Sequence, residues 1–389
     1  MQNKVFVIGA GIAGIMSAYF LNKKGYNVTV FDKNVQPAME CSFANGGQIS
    51  VCNSEVWNTV SNLKKGLKWM FKKDAPLYIH PKPSIEKLVW LGGFLRHTFN
   101  LSHDQNTLMT IRMGVASRKY YNQVLDDVKI EYGERRRGIL HVYKDKESLQ
   151  KTTKLQDLFR LSGCGWEYIG RDLSNIDPTL ANTSFVGGIY TEDDWSGDIH
   201  QFCNNMAKVL KERGVNFIFN KEVSIDDVES LSLNGKVILC NGVELKKFAA
   251  NFGNFLNMYP VKGYSISIPL DESSKKYAPT VSLLDDDAKI VCSNFGNVLR
   301  VAGTAELAGY DTTVVQSRID PLLNWVQNNF PNINTNNYSS WACLRPMMAD
   351  MLPIVMRSKF NSNVFYHGGH GHLGWTLAAF TGKELADIL

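Results

Sequence analysis

Lys4-Val-Phe-Val-Ile-Gly-Ala-Gly-Ile-Ala-Gly14 followed by Tyr26-Asn-Val-Thr-Val-Phe-Asp32 decides the fold of this chain. Residues 4–8 read as a buried strand ended by glycine. Ile15, Ala18, Tyr19 and Leu21 then fall on a helical period, and Gly25 closes that helix. Residues 26–31 form a second strand, with Asp32 at its end. Gly9 permits a tight turn, Gly11 lets the backbone approach a pyrophosphate, and Gly14 lets the helix pack closely on the strand. The helix N-terminus presents unpaired N–H groups and partial positive charge to phosphate. Asp32 is placed to accept hydrogen bonds from ribose hydroxyls. Val7, Ile8, Ala10, Ile12 and Ala13 complete the expected cradle, and Phe31 and Lys33 flank its acid. The unit predicts a bound dinucleotide; by itself it fits FAD and NAD alike.

Outward from this unit, 389 residues exceed one comfortable core and predict two domains, or one α/β unit with an inserted lobe. A formal charge of +5 with no long basic arm excludes a nucleic-acid partner. Seven scattered cysteines, odd in number and without a CxxC pair, read as reduced thiols of a cytoplasmic protein. Glycines interrupt the first apolar run, so no secretory signal is expected there. No stretch reaches the ~20 apolar residues needed to span a bilayer.

Further motifs follow in order: Cys41-Ser-Phe-Ala-Asn-Gly-Gly-Gln-Ile-Ser50, Leu67-Lys-Trp-Met-Phe71, Lys262-Gly-Tyr-Ser265, Leu344-Arg-Pro-Met347 and Gly369-His-Gly-His-Leu-Gly-Trp-Thr376. Together with the N-terminal fingerprint they resemble the bacterial FAD-dependent D-amino-acid dehydrogenases, within the D-amino-acid oxidase and glycine oxidase superfamily. The resemblance covers nearly the whole chain and selects FAD over NAD. It implies an α/β fold: a Rossmann-like FAD-binding domain of the glutathione-reductase type and an α+β substrate domain with an antiparallel sheet. The FAD domain is expected to be discontinuous, over 1–75, 185–255 and 345–389, with 76–184 and 256–344 forming the substrate domain. Strands are read at 215–219, 236–240, 262–268, 279–284, 288–293, 297–302 and 363–367, and helices around 105–127 and 147–162 packing on the antiparallel sheet. Two differences from the family pattern stand out. The region Phe248 to Pro260 is shorter, with Asn251-Phe-Gly253-Asn254 as the remnant of a glycine turn, and the chain ends at Leu389 with its last helix.

The resemblance also implies roles. Ser42, Asn45, Gly46, Gly47 and Gln48 would run along the flavin, with Gln48 nearest the substrate. Val223 would meet the adenine through its backbone, and Gly253 would belong to the same cradle. Arg345 aligns with the carboxylate-binding arginine of glycine oxidase relatives and would reach both substrate and cofactor; its fork of donors suits a carboxylate. Gly369, His370, Gly371, His372, Leu373, Gly374, Trp375 and Thr376 open the last helix and would bring N–H groups and a helix dipole to the flavin edge. His370 facing the ring and His370 as a structural residue are both open readings. A metal held by His367, His370 and His372 is not expected, because no acidic or cysteine partner is nearby in sequence. Tyr264 would line the pocket and bond the substrate, or be an ordinary strand tyrosine. Lys289 stands where glycine oxidases carry a substrate-site tyrosine, or is a surface lysine.

The implied reaction is oxidative deamination of a D-amino acid to a 2-oxo acid and ammonia, by hydride transfer to flavin N5, with electrons passed to a quinone or other respiratory acceptor. Oxidation of glycine, sarcosine, proline or hydroxyproline is the same-fold alternative, and a degenerate flavin-binding protein without catalysis is the alternative of another class. Residues 63–73 interleave five lysines with Leu63, Leu67, Trp69, Met70 and Phe71. That composition suits a helix lying peripherally on the cytoplasmic face of the inner membrane, or an ordinary amphipathic helix packed on the core.

Overall fold

The computed structural model describes residues 3–69, 76–100 and 102–389, with Leu67, Lys68, Trp69 and Lys154 described by backbone alone. Of the basic aromatic stretch, Val60–Trp69 is helical, and residues 70–73 lie outside the described residues.

The glycine fingerprint starts a six-stranded sheet. Its order is Ile354–Arg357, Val364–Gly368, Lys236–Leu239, Lys4–Ile8, Asn27–Phe31 and Asn216–Ile218. All neighbours pair in parallel except the first two. Val5, Val7, Val28, Val30, Val237 and Ile238 are buried, as a sheet covered on both faces requires. One face carries the helix Ile12–Lys23, whose Ile12, Ile15, Met16 and Leu21 are all buried. This helix is apolar on every side because the C-terminal helix Gly374–Ile388 covers it from behind. Their close crossing needs Gly382, where a Cβ would come within 3.1 Å of the Met16 backbone. Leu245 and Phe248 of the helix Leu245–Asn251, with Val228 of Ile225–Ser232, pack on the other face.

A second, nine-stranded sheet runs Ser339–Met348, Met258–Pro269, Val298–Leu307, Ile290–Asn294, Ser282–Asp285, Ile139–Tyr143, Gly187–Thr191 and Glu167–Ile169, with Leu77–Ile79 paired to Val298–Leu307. It is mainly antiparallel; Ser282–Asp285 with Ile139–Tyr143, and Leu77–Ile79 with Val298–Leu307, are parallel. The helix Gln316–Asn329 buries Ile319, Leu322, Trp325 and Val326 against it.

The strands read from the sequence appear within a few residues of their expected places. Four particulars differ. Gly187–Thr191, within the segment expected from 185 onward for the FAD domain, pairs with Ile139–Tyr143 in the larger sheet. Ser339–Met348 crosses the expected boundary at 344/345 without a break, because its pairing with Met258–Pro269 continues to Met348. The helix His103–Val128 packs Ile111 with Ile139 of the antiparallel sheet, as expected, but sends Tyr121 and Val124 into the core of the first helix. The segment 147–162 is broken at Thr153–Leu155, where the Thr152 and Thr153 hydroxyls donate back to the Ser148 and Gln150 carbonyls. Among the described residues no helix is long and apolar enough to cross a membrane.

Candidate active site

The strands Lys4–Ile8, Asn27–Phe31, Lys236–Leu239 and Val364–Gly368 all end at one edge of the smaller sheet. A cavity of about 1820 Å³ opens there and extends under the larger sheet. It exceeds the usual ~300–1,000 Å³ of a small-molecule site, which suits a long cofactor with a substrate beside it. Its floor is the first turn. Gly9 has φ of 103°, and a Cβ there would meet the Cys240 carbonyl at 2.6 Å. At Gly14 a Cβ would fall 1.8 Å from the Gly9 oxygen. At Gly11 it would meet only the Ser42 hydroxyl at 3.6 Å, so this glycine faces open space. Ile8, Gly9, Gly11, Ile12 and Ala13 line the cavity. Val7, Ala10 and Gly14 lie behind it, shaping the turn without lining it. Asp32 lines the cavity with Phe31 and Lys33; its Oδ2 accepts from the Ala10 N–H at 2.6 Å, and its Oδ1 from Asn34 N–H at 2.8 Å. Lys221 N–H donates to the Asp32 carbonyl at 3.0 Å, which brings Val223 to the same wall.

The loop after Cys41 is stitched to both halves. Ser42 Oγ accepts from the Ile12 N–H at 3.2 Å. Ser265 Oγ donates to the Ala44 carbonyl, Ser293 Oγ to the Gly46 carbonyl and Arg300 Nη1 to the Asn45 carbonyl. Asn45 Oδ1 caps the turn by accepting from Gly47 N–H at 2.9 Å. Gly47 has φ of 72°, and a Cβ there would strike the Phe295 ring. Ser42, Asn45, Gly46, Gly47 and Gln48 therefore form one rigid wall. Ser265 closes the Lys262–Ser265 motif and Ser293 and Arg300 belong to none; the sequence does not announce any of the three as a support of this wall.

Gly253 lies away from the cavity in which its expected cofactor role would place it. It sits at the end of the helix Leu245–Asn251 with φ of 80°, against the Phe360 ring and outside the cavity lining. The turn that reaches the cavity comes before that helix, at Cys240, Asn241 and Gly242. Both turns read Asn-x-Gly or Asn-Gly in sequence, and only packing distinguishes them. At the C-terminal segment His370, Gly371, His372, Leu373, Gly374, Trp375 and Thr376 line the cavity. Gly369 does not; its φ of 71° turns the chain over Met348.

At the far end lies Arg345, half-buried, its Nη1 donating to the Thr304 carbonyl at 3.0 Å. No carboxylate of the described residues forms an ion pair with it. The guanidinium lies flat on Gly263, where a Cβ would fall 2.3 Å from Cζ. Thr304 has φ of 64°, an outlier for a β-branched residue, beside the register shift between Lys262 and Tyr264. Strain held there aims its carbonyl at Arg345. Tyr264 lines the cavity, but its hydroxyl donates to Glu306 at 2.5 Å, so that proton is not free for a substrate carboxylate. Burial and Glu306 both hold its pKa above the ordinary value. Gln48 donates its amide to Ser282 Oγ at 2.8 Å and the Leu283 carbonyl at 3.2 Å. Lys289 lines the cavity with its ammonium 3.2 Å from Asp286 Oδ1.

His370 and His367 both meet Thr381 Oγ1, at 2.9 and 2.8 Å, and His367 Nδ1 meets Ser17 Oγ at 2.7 Å. His372 stacks on Trp57 with ring centroids 4.7 Å apart. Burial pushes the His370 imidazole down to about 4, and burial together with Arg345 pushes His372 down to about 4. Both start from an ordinary 6.5, so between those values the unfolded chain binds more protons than the folded one. Stability therefore rises with pH across that window and is lost as pH falls through it. Scanning calorimetry should show Tm falling between pH 6.5 and 4, with a shallower fall in His372→Gln; equal slopes would remove His372 as a contributor.

FAD fits these residues. The cavity is continuous from the Asp32 turn to Arg345, and Gly11 leaves room beside the first helix N-terminus. Asn241 Oδ1 and Trp375 Nε1 are buried in its wall without hydrogen-bond partners among the described residues, the condition a polar ligand relieves.

The comparisons agree. Residues 4–388 match the DAO family model, described as FAD dependent oxidoreductase. The chain is 42% identical to D-amino acid dehydrogenase 3 of Mesorhizobium japonicum, covering 99% of this chain and 97% of that protein. It is 35% identical to the D-amino acid dehydrogenase of Paramagnetospirillum magneticum, over 99% of this chain and 94% of that one. Among solved structures, glycine oxidase from Geobacillus kaustophilus superposes with a TM-score of 0.74 at 16% identity, covering 100% of this chain and 95% of the other. L-proline dehydrogenase from P. horikoshii gives 0.72 at 15% identity, covering 100% and 93%. With the glycine cradle, the family match from strand to final helix and a full-length relative in hand, this chain belongs to the DAO family of FAD-dependent oxidoreductases.

Proposed function

We propose that this protein oxidises D-amino acids to 2-oxo acids and ammonia and passes the electrons to a membrane quinone. The observation that carries the reading is Arg345: a guanidinium without a carboxylate partner among the described residues, held on Gly263 and by the Thr304 carbonyl, in the same cavity as the cofactor cradle. Such a fork binds an amino-acid carboxylate. The relatives supply the substrate class, since those at 42% and 35% identity are D-amino acid dehydrogenases. FAD supplies the acceptor for the hydride that leaves Cα. The chain's own work is positioning. Arg345 fixes the carboxylate, and the Tyr264 ring and the Asn45–Gln48 wall bound the space in which the amine lies neutral. The imino acid released then takes up water. No side chain is required as a base in this scheme.

An apolar arm of the cavity supports the quinone. Leu63, Leu77, Ile79, Trp90 and Phe94 line it beside the lysine-rich helix Val60–Trp69. Ile85, Leu88 and Phe99 stand exposed on the adjoining helix Ile85–Phe99. Cationic and apolar residues side by side suit an anionic lipid surface.

Anaerobic stopped-flow spectroscopy tests the reading. D-alanine should bleach the flavin band, and a soluble ubiquinone analogue should restore it faster than oxygen does. If D-amino acids leave the flavin oxidised while sarcosine or proline bleaches it, the substrate assignment fails. Gly263→Ala refines the test. Its methyl displaces the guanidinium, so KM should rise by on the order of 10- to 100-fold with an unchanged flavin spectrum. A KM like that of the parent would show that Arg345 does not need its seat on Gly263.

A further inference from the structure

A second chemical constellation stands in the cavity wall. Cys52 Sγ lies 3.0 Å from His141 Nε2, and His141 Nδ1 lies 2.8 Å from Asp286 Oδ2. Cys52, His141 and Asp286 all line the cavity. The order is thiol, imidazole, carboxylate, each within hydrogen-bond reach of the next. Asp286 fixes the tautomer: its carboxylate accepts from Nδ1–H, which leaves Nε2 facing the thiol. The array is held from outside. Cys52 N–H donates to Asp194 Oδ2 at 3.0 Å, Asp194 is paired with Arg118 at 2.9 Å, and Lys289 holds the second oxygen of Asp286 at 3.2 Å. The next residue, Asn53, turns its carbonyl to His372 Nε2 at 3.4 Å, so the array adjoins the cofactor end of the last helix. Oxidation of an amino acid by hydride loss uses none of these groups.

We propose that Cys52, His141 and Asp286 form a nucleophilic thiol site that captures a small α,β-unsaturated carbonyl compound entering the cavity. Sγ bonds to the β-carbon as the carbon–carbon double bond opens. The thiol proton passes to His141 Nε2 and from there to the α-carbon, so the adduct is a thioether and nothing leaves. Burial raises the Cys52 thiol above its ordinary pKa, so the resting sulfur keeps its proton and activation comes at the moment of attack. Asp286, 2.8 Å from Nδ1, stabilises the imidazolium that forms as the thiol proton reaches Nε2. Three other thiols line the cavity: Cys240 Sγ lies 3.9 Å from His367 Nδ1, while Cys41 and Cys343 have no histidine within hydrogen-bond distance among the described residues and act as internal controls.

The test is acrylamide labelling of the FAD-loaded protein at neutral pH, with adducts counted at each cysteine by peptide mass spectrometry. Cys52 should label, and His141→Gln and Asp286→Asn should each slow it by about tenfold or more while Cys41 and Cys343 keep their rates. The flavin spectrum identifies any variant that has lost its fold, in which case the other variant decides. No adduct at Cys52 in the parent protein, or parent-like rates at Cys52 in a folded variant, would overturn the proposal.

Discussion

Arg345→Ala is expected to yield a yellow protein whose KM for D-alanine rises about 30-fold to several-thousand-fold, equivalent to ~2–5 kcal/mol. The size follows from the environment. The guanidinium is half-buried, seated on Gly263, and one of its nitrogens is already held by the Thr304 carbonyl at 3.0 Å. Much of the ordering cost of that side chain is therefore met before substrate arrives. Truncation removes two parallel donors and leaves the incoming carboxylate facing desolvated wall, where an unpaired charge is most costly. Arg345→Lys should recover only part of the loss, because an ammonium keeps the charge without the fork. Flavin binding should persist in both, since the phosphate-facing turn lies at the other end of the cavity. An unchanged KM in Arg345→Ala would remove the residue from the substrate site. A colourless variant would instead assign it mainly to the cofactor.

What could be read in advance was local. The fingerprint is legible because each glycine answers a steric demand set within a few residues: Gly9 a turn, Gly14 the helix that follows at once. The Leu-Arg-Pro context points to Arg345, and the fold places that residue in the cavity lining. The sequence points to Gly253 while Asn241 and Gly242 line the cavity, because these turns bracket one short helix and the chain pattern is the same whichever end faces the cavity. The second partner of the helix His103–Val128, the first helix, is not legible because a period of 3.6 reveals which face is apolar and not what covers it. Cys52 and His141 are 89 residues apart, and His141 and Asp286 are 145 apart. Only the parallel pairing of Ile139–Tyr143 with Ser282–Asp285 brings the latter two together, and no spacing in the sequence announces it. The strain at Thr304 is equally invisible, because threonine is an ordinary strand residue until a register shift forces it to φ of 64°.

Gly14→Ala should produce a colourless and destabilised protein, whereas Gly11→Ala should produce one that is stable without cofactor but holds FAD weakly. The two glycines sit on the same turn and differ in what a methyl would meet. At position 14 it falls 1.8 Å from the Gly9 oxygen and 2.9 Å from the Gly9 carbonyl carbon. Both are backbone, and Gly9 is itself pinned by its N–H to the Phe31 carbonyl at 2.8 Å. No side chain can move aside, so the helix Ile12–Lys23 must lift from the strand Lys4–Ile8. That helix is the packing partner of the C-terminal helix as well as the source of the phosphate-facing N–H groups. Overpacking of this kind costs about 1–3 kcal/mol, or more when backbone must shift. The cofactor's own stabilisation disappears with it, since a ligand that binds only the folded state raises stability in proportion to its occupancy. At position 11 the methyl meets only the Ser42 hydroxyl at 3.6 Å, an ordinary contact. The apoprotein should not register it, yet it occupies the space that the pyrophosphate must enter. Calorimetry of the apoproteins and titration with FAD separate the cases. A fall in apoprotein Tm for Gly14→Ala alone, with weaker FAD binding in both, is the expected pattern. Equal apoprotein Tm values with equal loss of FAD would mean that Gly14 serves the ligand and not the helix packing.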